Sequence, residues 1–141
     1  MLAQLDLYDH TSDICHVGAF EVTPGVIDWD AVRAYTEGHC GSLAYCISKE
    51  TGWDPCVLTY TDGRRGFGGD AMHMAVIHPD GDIVDIEGKV SRREMRERWG
   101  AHITKTTCDD FLRACDAGLW IPYPEEEITQ TFVEPLLKEI A

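Results

Sequence analysis

Three residue types that together make an activated thiol recur in this 141-residue chain in a fixed order: Cys40, His73 and Asp85. Cys40 opens a predicted helix, and a helix N-terminus favours thiolate through its dipole and its free backbone N–H groups. An imidazole beside it takes the thiol proton and returns it to a leaving group. A carboxylate behind the imidazole holds the ring in one tautomer and orientation. The combination points to attack on a carbonyl carbon through a covalent thioacyl intermediate.

Whether His73 and Asp85 meet depends on one hairpin. Pro79-Asp80-Gly81 suits a three-residue turn, with Pro at the second position of a type I turn and Gly in the αL position of a G1 bulge. His78 and Asp82 then flank the loop, Val76 opposes Val84, and Ala75 opposes Asp85. One face of the hairpin carries Met74, Val76, Val84 and Ile86. The other carries His73, Ala75, Ile77, Ile83, Asp85 and Glu87, and makes His73 and Asp85 diagonal neighbours. A two-residue Asp80-Gly81 loop is the competing register and would bring His78 to that face instead. It leaves both faces mixed and gives the proline no role, so the three-residue loop is preferred.

The elements that must hold these residues follow from periodicity and punctuation. A strand is expected over 17–23, ended by Pro24-Gly25. Asp28 caps a helix from Trp29 to Thr36, closed by Gly38, and a second helix runs from Cys40 to Thr51 with Gly52 as its stop. Cys40, Leu43, Ala44 and Ile47 are spaced to share its inward face. Strands are expected over 56–61, 72–78 and 82–87. Capping boxes at Ser91/Glu94 and Thr107/Asp110 open helices to Trp99 and Ala117, stopped by Gly100 and Gly118. A last amphipathic helix runs through Ile128, Phe132, Leu136 and Ile140, with acidic residues 125–127 in its first turn and Pro135 as a kink or break. Helices, then an antiparallel meander, then helices make the class α+β in one domain spanning 1–141.

Gly38-His39-Cys40-Gly41-Ser42-Leu43-Ala44, His73-Met74-Ala75-Val76 and Ile83-Val84-Asp85-Ile86-Glu87-Gly88 together resemble the papain-like superfamily of cysteine hydrolases. The likeness covers residues 38–88 and is nearest to small transglutaminase-like and bacterial or phage-type peptidase and deamidase branches. It implies a papain-like core with a Cys-bearing helix on a small antiparallel sheet. It also implies Cys40 as nucleophile, His73 as general base and Asp85 as the orienting residue. Peptidases of this kind place a Gln shortly before the Cys for the oxyanion hole. Here no Gln lies between Gln4 and Cys40. The Cys40 backbone N–H remains as a donor, with a second from Tyr35, Thr36 or His39.

Composition narrows the rest. Lys+Arg 12 against Asp+Glu 25 leave a formal charge of −13, which disfavours nucleic acid and anionic membranes alike. Residues 1–13 hold no Lys or Arg and no apolar core of a signal peptide, so a cytoplasmic setting is expected. The six cysteines show no paired-thiol or zinc spacing, and most read as small core hydrophobes. The chemistry needs neither metal nor organic cofactor, and its substrate would be a peptide, protein or small amide. The residues from Gly63 to Gly69, with Arg64 and Arg65, read as a connection that could wall a groove. Asp80, Asp82 and Asp85 do not make a calcium loop. Trp53 and Trp99 read as core anchors, and His10, His16, His78 and His102 as surface residues. A second class stays open: a non-catalytic acidic binding or inhibitor protein on a hydrolase-like scaffold.

Overall fold

The computed structural model describes residues 1–9, 15–61, 71–117 and 122–141, with backbone alone at 7–9, 15–17 and 71. His10, the segment from Gly63 to Gly69 and the stop expected at Gly118 lie outside the described residues. The chain is α+β. Among the described residues, five helices accompany two antiparallel sheets of two and five strands.

Strands β1 (Ala3–Asp9) and β2 (Cys15–Val22) pair as the smaller sheet. The opening order therefore differs from the expected one: a two-stranded sheet precedes the helices, because Ala3, Leu5 and Leu7 alternate with polar neighbours as a half-buried strand does. Helix α1 (Trp29–Thr36) follows, its first turn closed by the Asp28 side chain accepting from the Ala31 N–H. Its C-cap is Glu37, one residue before the Gly38 expected there. Helix α2 (Cys40–Thr51) ends at Gly52, whose φ of +78° suits glycine. It is buried on every side from Cys40 through Ile47, not along a single stripe, because β4 packs on one flank and α5 on another.

The larger sheet has the order β6-β5-β4-β3-β7. Its strands are β3 (Pro55–Tyr60), β4 (Ala71–Ile77), β5 (Ile83–Asp85), β6 (Gly88–Val90) and β7 (Ala101–Lys105). The strand expected over 82–87 is cut short at Asp85 by a turn at Ile86 and Glu87, and the chain returns as β6. β7 has one buried residue in five, the profile of an edge strand, and its weak apolar alternation explains why no strand was expected there. Helix α3 (Arg92–Trp99) is capped by Ser91 and stopped by αL Gly100. Helix α4 (Cys108–Asp116) is capped by Thr107. Helix α5 (Glu126–Glu139) runs unbroken past Pro135.

Two apolar clusters cover the two faces of the large sheet. Met74, Val76, Val84 and Ile86 join α2, α4 and α5 on one face, through residues such as Leu43, Phe111 and Phe132. Cys56, Leu58, Ala75, Ile83, Met95 and Ala101 form the other. The pairing Val76↔Val84 and Ile77↔Ile83 is the three-residue-loop register, with the Gly81 N–H donating to the His78 carbonyl at 2.8 Å.

Candidate active site

β4 and β5 are adjacent interior strands, so the side chains of His73 and Asp85 arise where neither faces bulk water. They are 2% and 3% exposed. His73 Nε2 lies 3.0 Å from Asp85 Oδ2. The other carboxylate oxygen, Oδ1, accepts from the Glu87 N–H at 2.9 Å, which locks the carboxylate across the β5–β6 turn. Gly88, opposite Asp85 in that turn, sits at φ +109°, a conformation a side chain would strain.

A carboxylate accepts and cannot donate, so Nε2 carries the ring hydrogen toward Asp85 and Nδ1 is the nitrogen left for a proton transfer. Nδ1 makes no hydrogen bond of normal geometry among the described residues. The neighbour acting on the ring besides Asp85 is the Cys40 thiol. Burial pushes the His73 pKa down, but the Asp85 carboxylate and the Cys40 thiol outweigh it and raise it from 6.5 to about 9. The three residues singled out by type and order are thus brought together, with the imidazole in the middle.

Two features position the imidazole that were not anticipated. The indole of Trp99, at the end of α3, stacks on it with centroids 4.3 Å apart and planes 12° from parallel. Trp99 is therefore a wall of the site as well as a core anchor. The register of β3 with β4 also slips beside His73: Leu58 opposes His73 while Thr59 opposes Ala71, leaving Met72 as an extra residue. Such a bulge re-aims the side chains next to it. Met72 and Ala75 consequently share the second cluster, and His73 reaches Cys40 in the first and Trp99 against the second. A stacking partner on a distant helix and a one-residue bulge leave no local sequence signature.

Cys40 is the first residue of α2, where the leading N–H groups have no intrahelical acceptor. It is 6% exposed and belongs to the first apolar cluster. Three of the other described thiols are poor nucleophiles. Burial pushes Cys46 and Cys115 up to about 11 and Cys56 up to about 12, so at neutral pH they are protonated and slow nucleophiles. His39, just before Cys40, is buried, its Nε2 2.7 Å from the Asp6 carbonyl oxygen. Ser42 Oγ accepts from the Glu125 N–H at 3.1 Å and ties α5 to the same end of α2. Gln4 lies in β1 opposite Glu21.

Of the remaining histidines with described side chains, His102 is exposed on β7. His78, expected at the surface, is half-buried: it packs against Trp53 and lies 2.9 Å from Asp80, which also holds Lys89 at 2.6 Å. This cluster braces the hairpin turn. Among the described residues no group of acidic, His and Cys side chains is arranged to hold a metal ion, and no helix is long and apolar enough to cross a membrane. Comparisons of the chain with protein-family models, with curated proteins and with solved structures find no match.

Proposed function

We propose that this protein is a cysteine hydrolase or acyltransferase with a papain-like core, acting on an amide or thioester carbonyl of a peptide, protein or small amide. The observation that carries the reading is the buried imidazole of His73, held by Asp85 on Nε2 with the Cys40 thiol as its other partner. Cys40 Sγ, having already given its proton to His73 Nδ1, attacks the carbonyl carbon. The tetrahedral oxyanion collapses, the C–N or C–S bond breaks, and His73 returns the proton to the leaving amine or thiol. Water then releases the acid, or an amine takes the acyl group, with His73 accepting the incoming proton. The chemistry requires no metal or organic cofactor. Free thiols at Cys40, Cys46, Cys56, Cys108 and Cys115 fit a reducing, cytoplasmic setting.

The depth of the site favours a second reading. A cysteine 6% exposed within an apolar cluster also suits an acidic binding or inhibitor protein that keeps the scaffold without turnover. Alkylation separates the two. With limiting iodoacetamide near neutral pH, followed by peptide mass mapping, an active site modifies Cys40 well before the other five cysteines, and His73→Ala removes the preference. Uniformly slow labelling of Cys40 in the folded protein sinks the enzyme and leaves the binding protein. In a matched turnover assay Cys40→Ala and His73→Ala should each abolish activity while leaving the circular dichroism spectrum unchanged.

A further inference from the structure

The residue before the nucleophile occupies a position whose usual job it does not do. An N-cap side chain normally accepts a hydrogen bond from the second or third N–H of its helix. Asp28, Ser91 and Thr107 do so for α1, α3 and α4. His39, at the N-cap of α2, makes no such bond. Its ring is turned to β1 instead, and a nitrogen 2.7 Å from the Asp6 carbonyl oxygen must be the protonated one. Burial, only partly offset by that carbonyl and by the Glu125 and Asp6 carboxylates, lowers the His39 pKa and keeps the ring neutral. Nδ1 is then a bare acceptor, buried and without a hydrogen-bond partner among the described residues. The Phe20 ring of β2 packs T-shaped on the His39 ring, with a centroid distance of 6.4 Å and planes at 88°.

We propose that His39 is a positioning residue: tied to the Asp6 carbonyl, its ring is held off the first turn of α2, so that the N–H groups there stay open to the oxyanion formed at Cys40. The inference rests on the nucleophilic reading of Cys40 and supplies what the missing Gln leaves undone. The small β1–β2 sheet thereby acquires a part in the reaction through one hydrogen bond. Two substitutions separate tether from cap. Gln places an amide N–H where Nε2 lies and is a poor N-cap. Asn is too short for Asp6 and is among the best N-caps.

The test compares two reactions of Cys40 in the full chain. Acylation by p-nitrophenyl acetate forms the S–C bond, expels p-nitrophenolate and passes through an oxyanion. Alkylation by iodoacetamide expels iodide and forms none. Relative to wild type, the acylation-to-alkylation ratio should fall on the order of 10²-fold in His39→Asn and stay within about threefold in His39→Gln. An unchanged ratio in a folded His39→Asn variant overturns the proposal, since loss of the tether alone would slow both reactions together. Should that variant not fold, amide exchange in the wild-type protein decides. The Cys40, Gly41 and Ser42 amides should be unprotected in the free protein and become protected when a peptide aldehyde forms its hemithioacetal on Cys40. Protection already present in the free protein overturns the proposal. A wild-type Cys40 that reacts with neither probe instead refutes the nucleophile itself.

Discussion

Both carboxylate oxygens of Asp85 accept hydrogen bonds, one from His73 Nε2 and one from the Glu87 N–H. An Asn offers only one acceptor, so Asp85→Asn must turn its NH₂ toward either the ring or the backbone donor. From residue types alone this substitution should weaken activity less than Cys40→Ala. The doubly bonded carboxylate raises its expected cost to roughly 10²–10⁴-fold in the acylation rate, the range for losing an oriented general base. A variant within a few-fold of wild type would show that the Oδ2–Nε2 bond does not orient the ring. The same bond has a pH signature. The folded His73 pKa lies near 9, above its ordinary 6.5, so folding takes up a proton between those values. This stabilisation is complete below 6.5 and is lost as pH rises through 9. Urea midpoints should decline across that window, and the decline should shrink in His73→Gln. That Cys40, His73 and Asp85 belong together was legible in their types and in one turn, whereas the Trp99 stack was not, because nothing local ties residue 99 to residue 73.

At the scale of elements, the start of α2 is fixed by a close approach that only glycine permits. A Cβ at Gly41 would overlap the Phe111 ring of α4 and come within 3.4 Å of Met74 Sδ on β4. Gly41→Ala should therefore destabilise the protein by about 1–3 kcal/mol, the usual cost of overpacking. Phe111→Leu in the same chain should recover part of it, a coupling that a double-mutant cycle of denaturant midpoints measures. Additive effects would mean that α4 is not the wall Gly41 meets. Helices were the most legible elements. The bounds of α2 and the Ser91 and Thr107 caps follow from local chemistry that does not depend on what packs outside. Strands β6 and β7 were not, since three residues after a tight turn, and a polar edge strand, have too little apolar alternation to announce themselves. Pro135 does not end α5, because a single missing N–H inside a helix with Phe132, Val133 and Leu136 fully buried is outweighed by that packing.

For the molecule as a whole, the excess of 13 negative charges is its broadest property. Visible ion pairs, such as Arg33–Glu37 and Arg93–Glu97, are exposed and local, so each offsets little of the repulsion. Raising NaCl from about 0.02 to about 0.5 M should screen the repulsion and raise the melting temperature. A flat or falling curve would mean that attractive pairs dominate. On either functional reading, association with a cationic peptide should weaken as salt rises.

Taken alone, the sequence determined the α+β class, the bounds of the central helices, the hairpin register and the identity of three candidate reacting side chains. Each of those follows from patterns within about a dozen neighbouring residues: helical spacing, caps, and a Pro-Asp-Gly turn. Tertiary structure decided the rest. It buried the imidazole against Trp99, inserted Met72 beside it, occupied both oxygens of Asp85 and turned His39 away from the helix it begins. Those outcomes depend on which distant surfaces meet when the two apolar clusters close on opposite faces of one sheet, and no short-range pattern encodes that meeting.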